Sequence, residues 1–171
     1  MSDPTIFENL KVAFENHIYN LDNLEGRILI TGRSDVMDLA DLSRTLVIRF
    51  VRTDQPEIPV EVELSASAGD LAGEILELPD AEPGVTLRVR FDKPVTDPDG
   101  QCEKIGAMLA DLWERDIRLS QTLSFDYPQG DTGWTNRVEA VFNTRIDEEH
   151  MGAIGGFMES VIEAAGRLAD I

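Results

Sequence analysis

Apolar residues along this chain recur with two periods, one near 3.6 residues and one of two, and their succession predicts an α+β domain. In the segment 4–21, Phe7, Leu10, Phe14, His17, Ile18 and Leu21 share one side of a helical wheel, which places His17 within the apolar stripe. Asp3 before Pro4 reads as a cap followed by the first helical residue, and Thr5 with Glu8 reads as a capping box. After Gly26 the run Arg27 to Thr31 predicts a short strand. Ser34 then predicts the cap of a brief helix over 34–42 carrying Val36, Leu39 and Leu42. Three segments alternate cleanly: Leu46, Ile48, Phe50; Val60, Val62, Leu64; and Val85, Leu87, Val89, Phe91. These predict half-buried antiparallel strands. Glu61 and Glu63 complement Arg88 and Arg90, which predicts that the second and third of these strands are neighbours. Between them, 71–78 reads as a short edge strand and 79–84 as a turn.

In the second half, Cys102, Ile105, Leu109, Leu112 and Trp113 predict a helix over 101–117, after the turn Asp97 to Gly100. Leu119, Gln121, Leu123, Phe125 and Tyr127 then alternate as a strand, and the loop 128–133 predicts a hairpin. Its second arm, over 134–146, points Val138, Ala140 and Phe142 inward. Asp147 caps a final helix that runs almost to Ile171. The expected architecture is one domain, 1–171: an antiparallel sheet of about five to seven strands with an N-terminal helix, a middle helix and a long C-terminal helix on one face. In element order this resembles the small α+β fold of bacterial type III secretion chaperones. The short helix at 34–42 and the strand at 71–78 depart from that plan, and no diagnostic motif matches. Likeness of fold carries no function.

Charge narrows the partners. Thirty-three Asp and Glu stand against fifteen Lys and Arg, giving a net charge of −18 that repels phosphate backbones and anionic lipids. Neither nucleic acid nor a membrane surface is an expected partner. The acids mostly alternate with apolar residues, as solvated faces do, so mimicry of DNA is not the reading adopted. Only Lys11, Lys93 and Lys104 are lysines, a bias that speaks of the host more than of function. Cys102 has no cysteine to pair with, no apolar run approaches 18 residues, and the first residues lack the pattern of a leader, so the cytoplasm is the expected location.

Candidate chemistry is sparse. Two histidines exclude a three-histidine zinc site. His150, beside Glu148 and Glu149, reads as part of an acidic first helical turn favoured by the macrodipole. Asp97, Asp99 and Glu103 fail the spacing of a calcium loop, in which glycine stands sixth and a glutamate twelfth. Cys102 falls on an apolar stripe and reads as structural. Phosphate-binding loops and a nucleophile elbow are both missing, and Gly152 to Gly156 lies inside a helix. No cofactor or metal is expected, and an enzyme, if there were one, would draw on His150, Glu149 and Cys102.

Two features exceed what a generic domain needs. From Thr53 to Leu87, nine acids occur without a basic residue, among them Glu57, Glu61, Glu63, Glu74 and Glu77. That stretch reads either as a charge-protected sheet edge or as a docking surface for a basic polypeptide. The last helix contains Gly152, Gly155, Gly156 and Gly166, each costing about 0.8–1 kcal/mol relative to alanine. Close approach of other backbone, of a second copy or of a ligand is the expected compensation. The leading expectation is a non-enzymatic, chaperone-like interaction module, a homodimer that binds another polypeptide through the acidic stretch and the exposed sheet. The alternative is a small-ligand binder with a cavity between the last helix and the sheet, lined by Trp134, Phe142, Met151 and Met158, with the glycines making room.

Overall fold

The computed structural model describes residues 5–79, 84–127 and 133–171. Helix α1 (Ile6–Asn23) starts where Thr5 accepts a hydrogen bond from the Glu8 amide, and it buries Phe7, Leu10, Phe14, Ile18 and Leu21. The Asp3–Pro4 signal lies outside the described residues, as do most of the predicted turns at 79–84 and 128–133. Strands β1 (Ile28–Met37), β2 (Arg44–Arg52) and β3 (Gln55–Ala66) form a meander. Helix α2 (Ala68–Ile75) leads to β4 (Thr86–Val95), and α3 (Pro98–Leu112) leads to the hairpin β5 (Ile117–Ser124) and β6 (Trp134–Phe142). A 3-10 turn, Glu148–Ala153, then passes into α4 (Ile154–Ala169). Among the described residues the sheet has six strands in the order β1-β2-β3-β4-β6-β5, each pairing antiparallel.

Side chains from alternate positions, such as Ile48, Val62, Val89 and Val138, fill one face and pack beneath α1, α4 and α3. The other face bears no long helix. There Glu61 stands opposite Arg90, and Glu63 opposite Arg88, as their alternation predicts. The hairpin forms as expected, with Val138 and Ala140 buried and Phe142 packed against the core.

Five local expectations need correction. Of the helix expected over 34–42, residues 34–37 are the end of β1 and 38–42 form the turn into β2, closed by a bond from the Leu42 amide to the Asp38 carbonyl. A bulge between Ile30 and Gly32 shifts the register, after which Arg33 and Asp35 turn toward the helices. Asp35 there binds Lys11 and Arg44, an enthalpic gain that a short isolated helix lacks. The edge strand expected over 71–78 is α2, opened by a reciprocal capping box between Ser67 and Asp70. The middle helix stops at Leu112 rather than near 117, because Glu114 and Arg115 adopt φ of 53° and 61°. Asp147 caps a 3-10 turn before the last helix. His17, expected inside the apolar stripe, is exposed and lies beside Gly155.

Candidate functional site

The predicted acidic surface is dispersed by the fold. Strand β3, which carries Glu57, Glu61 and Glu63, is internal to the sheet. Glu61 receives Arg49 at 3.0 Å, Arg137 at 3.1 Å and Arg90 at 3.4 Å. Arg90 also reaches Glu63 at 3.1 Å and Glu139 at 2.7 Å. Burial pushes the Glu61 carboxyl upward, but the arginines outweigh it and hold the group below its ordinary value. These carboxylates are therefore committed to a ladder of ion pairs. Glu57 is exposed, Glu77 is exposed at φ 49°, and Glu74 accepts a hydrogen bond from the Ile6 amide at 2.9 Å.

The glycines divide in the same way. A side chain at Gly152 or Gly156 would meet nothing of this chain within 4 Å, so its own backbone makes no close approach at either. At Gly155 a Cβ would touch the His17 ring at 3.4 Å, an ordinary contact. Only Gly166 is crowded: the Arg52 guanidinium, which donates to the Ile162 carbonyl at 3.0 Å and to Asp54, covers the place of its missing Cβ.

The two sheet edges differ. Edge strand β1 is bulged and carries Arg33 and Asp35. Edge strand β5, Ile-Arg-Leu-Ser-Gln-Thr-Leu-Ser, has Arg118 as its one charge. At one end of the β5–β6 hairpin, Leu123, Phe125, Tyr127 and Trp134 are all exposed, with Phe125 at 58% and Tyr127 at 92%.

Aromatic rings form a chain through the helical layer. Phe14 meets Phe157 at 6.0 Å, Phe157 meets Phe142 at 5.4 Å, and Phe142 meets Trp113 at 5.1 Å, each edge to face. Trp113 is held by a hydrogen bond from its Nε1–H to Ser160 Oγ at 2.9 Å. Beside this chain lies a partly open pocket of about 190 Å³, walled by Phe14, Leu87, Phe142, Ile146, Ile154 and Phe157, with Asp116, Thr144, His150 and Ala153 completing it. It lies between the start of α4 and the sheet, where a ligand cavity was expected. Of the four lining residues expected, Phe142 alone belongs to it. Trp134 is in the exposed hairpin cluster, Met151 is exposed, and Met158 is buried in the core. Phe14 and Phe157 were missed as lining; their positions on apolar helical stripes mark burial but not which neighbour they share.

Reactive side chains gain no activating surroundings. Burial and then Asp99 push the Cys102 thiol up, and its Sγ faces Asn136 Nδ2 at 3.5 Å. His150 closes the cap of the 3-10 turn, its Nδ1 accepting from the Asp147 amide at 3.1 Å. Among the described residues no three His, Cys, Asp or Glu gather into a metal-holding group, and no helix is long and apolar enough to cross a membrane. Comparison with protein-family models, curated proteins and solved structures finds no match, so the likeness to secretion chaperones stays one of element order.

Proposed function

We propose that the protein is a non-enzymatic, chaperone-like module that takes an extended, basic segment of another polypeptide along β5. The observation that carries this reading is the contrast between the edges: β1 is bulged and charged, while β5 is regular and carries one charge in eight residues. Natural sheets blunt their edges with charge, bulges or cover, so an unblunted edge is a template for strand addition. Main-chain hydrogen bonds then supply affinity, and the neighbouring Leu123, Phe125, Tyr127 and Trp134 supply side-chain contacts. A net charge of −18 favours a cationic segment and opposes a second copy of the same chain.

Selection of displayed twelve-residue peptides on the immobilised protein at low salt tests the reading. Recovered sequences should alternate apolar residues with Lys or Arg, protect β5 amides from hydrogen exchange, and lose binding to Thr122→Lys. Peptides that protect another region, or none recovered, would remove the proposal. Light scattering at micromolar concentration separates the other occupant: a dimer disrupted by Thr122→Lys would assign the edge to self-association.

A second reading, a small-ligand binder, is favoured by one observation, the apolar pocket between the start of α4 and the sheet.

A further inference from the structure

We infer that this pocket binds a small organic cation, a single ring-sized apolar body joined to a protonated amine. The inference rests on the ligand-binding reading and adds size and charge to it.

Size comes first. An apolar cavity of about 150 Å³ accommodates benzene, whereas drug-sized ligands need roughly 300–1,000 Å³. At about 190 Å³ the pocket admits one ring and a short tether. Its walls are the rings of Phe14, Phe142 and Phe157 and the aliphatic Leu87, Ile146 and Ile154, so the buried part of the ligand is apolar.

Charge follows from the polar residues. Asp116 is held in place by its backbone: its amide donates to the Trp113 carbonyl at 2.9 Å, and its carbonyl accepts from the Asn143 amide at 2.9 Å. Asp116 is half-buried among the lining residues, and the hydrogen bonds that fix it are those of its backbone. A lining aspartate whose carboxylate has no cationic partner among the described residues offers a bound amine one charge-assisted contact. The surrounding charges agree. Asp147, Glu148 and Glu149 stand at the start of the adjoining 3-10 turn, where they already match its positive end and leave little pull on an anion. Of the two arginines next to polar lining residues in sequence, Arg145 is engaged by Asp70 and the Gly84 carbonyl, and Arg115, beside Asp116, is exposed. Thr144 and His150, whose Nδ1 accepts from the Asp147 amide, complete the lining with polar groups.

Titration of the full chain with 2-phenylethylammonium, 2-phenylethanol and phenylacetate, followed by NMR and calorimetry, tests the inference. A nine-atom ligand of good efficiency should bind with a dissociation constant on the order of 0.1–1 mM. The amine should bind about tenfold more tightly than the alcohol, the loss expected for one charge-assisted contact, and phenylacetate most weakly. Asp116→Asn should make amine and alcohol equal, and Ala153→Phe, a change at an exposed position, should block both. Shifts at Phe142 and Phe157 in the native protein locate the ligand without any variant. Equal affinity for amine and alcohol in the native protein would overturn the cation assignment while leaving the pocket as a ligand site. Failure of all three compounds to bind, or binding that ignores Ala153→Phe, would overturn both.

Discussion

Ionisable side chains at the layer boundary set how the protein responds to pH. Burial pushes the Asp35 carboxyl up, and hydrogen bonds from Lys11 and Arg44 more than reverse this, leaving it below its ordinary value. The folded state thus prefers the ionised form more than the unfolded chain does. Its stabilisation is complete above the unfolded carboxyl value of about 4 and is lost as pH falls through the lower folded value. Glu61, below its ordinary value through Arg49 and Arg137, behaves alike. Urea midpoints followed from pH 7 to pH 2 should fall steeply below pH 4, and Asp35→Asn should flatten that limb. At pH 7 the same substitution should cost about 1.5–3 kcal/mol, the range for hydrogen bonds to charged groups. Lys93 has the opposite sense. It is 6% exposed, hydrogen-bonds to nothing among the described residues, and burial lowers its ammonium value against the weaker pull of Glu57. The unfolded chain therefore holds that proton more tightly, and stability rises as pH climbs from the folded value toward about 10.4. Lys93→Met should stabilise the fold by about 1 kcal/mol at pH 7, the size of one favourable substitution, and so raise the urea midpoint.

At the level of elements, local signals and tertiary contacts compete. The segment 34–42 has helix-compatible spacing, but Asp35 has two cationic partners in the extended backbone of 34–37, and a turn follows at 38–42. Residues 71–78 are apolar enough for an edge strand, yet Ser67 and Asp70 close a cap three residues apart and start a helix. Both outcomes could be read only from side chains far along the chain or from one hydroxyl. Glycines in the last helix make a sharper test. Gly156 has open space at its missing Cβ, so Gly156→Ala should stabilise by about 0.5–1 kcal/mol through backbone entropy. Gly166→Ala should yield no such gain, because Arg52 must release the Ile162 carbonyl to admit the methyl group. Denaturant melts of the two variants side by side measure the difference.

Across the whole molecule, charge is uneven. Arginines and carboxylates alternate on the uncovered sheet face, so the net charge of −18 resides largely on helices and loops. Like charges there repel over distances that salt shortens, from a screening length of about 30 Å at 0.01 M to about 8 Å at 0.15 M. The midpoint of thermal unfolding should therefore rise between those concentrations; a fall would mean that the ion-pair ladder outweighs net repulsion. The linear pattern of residues determined the class of fold and the three central strands through periods of two or 3.6 residues, the pairing of β3 with β4 through complementary charges on their outward positions, and the hairpin through two alternating runs on either side of a turn-rich loop. Only the tertiary structure decided which strand became an edge, that Glu61 and Glu63 of β3 would pair with arginines, and that Phe14, Leu87, Asp116 and Phe157 would meet around one pocket. Such residues are separated by tens of positions, and no local period records which distant side chains the packing of a helix on a sheet will bring together.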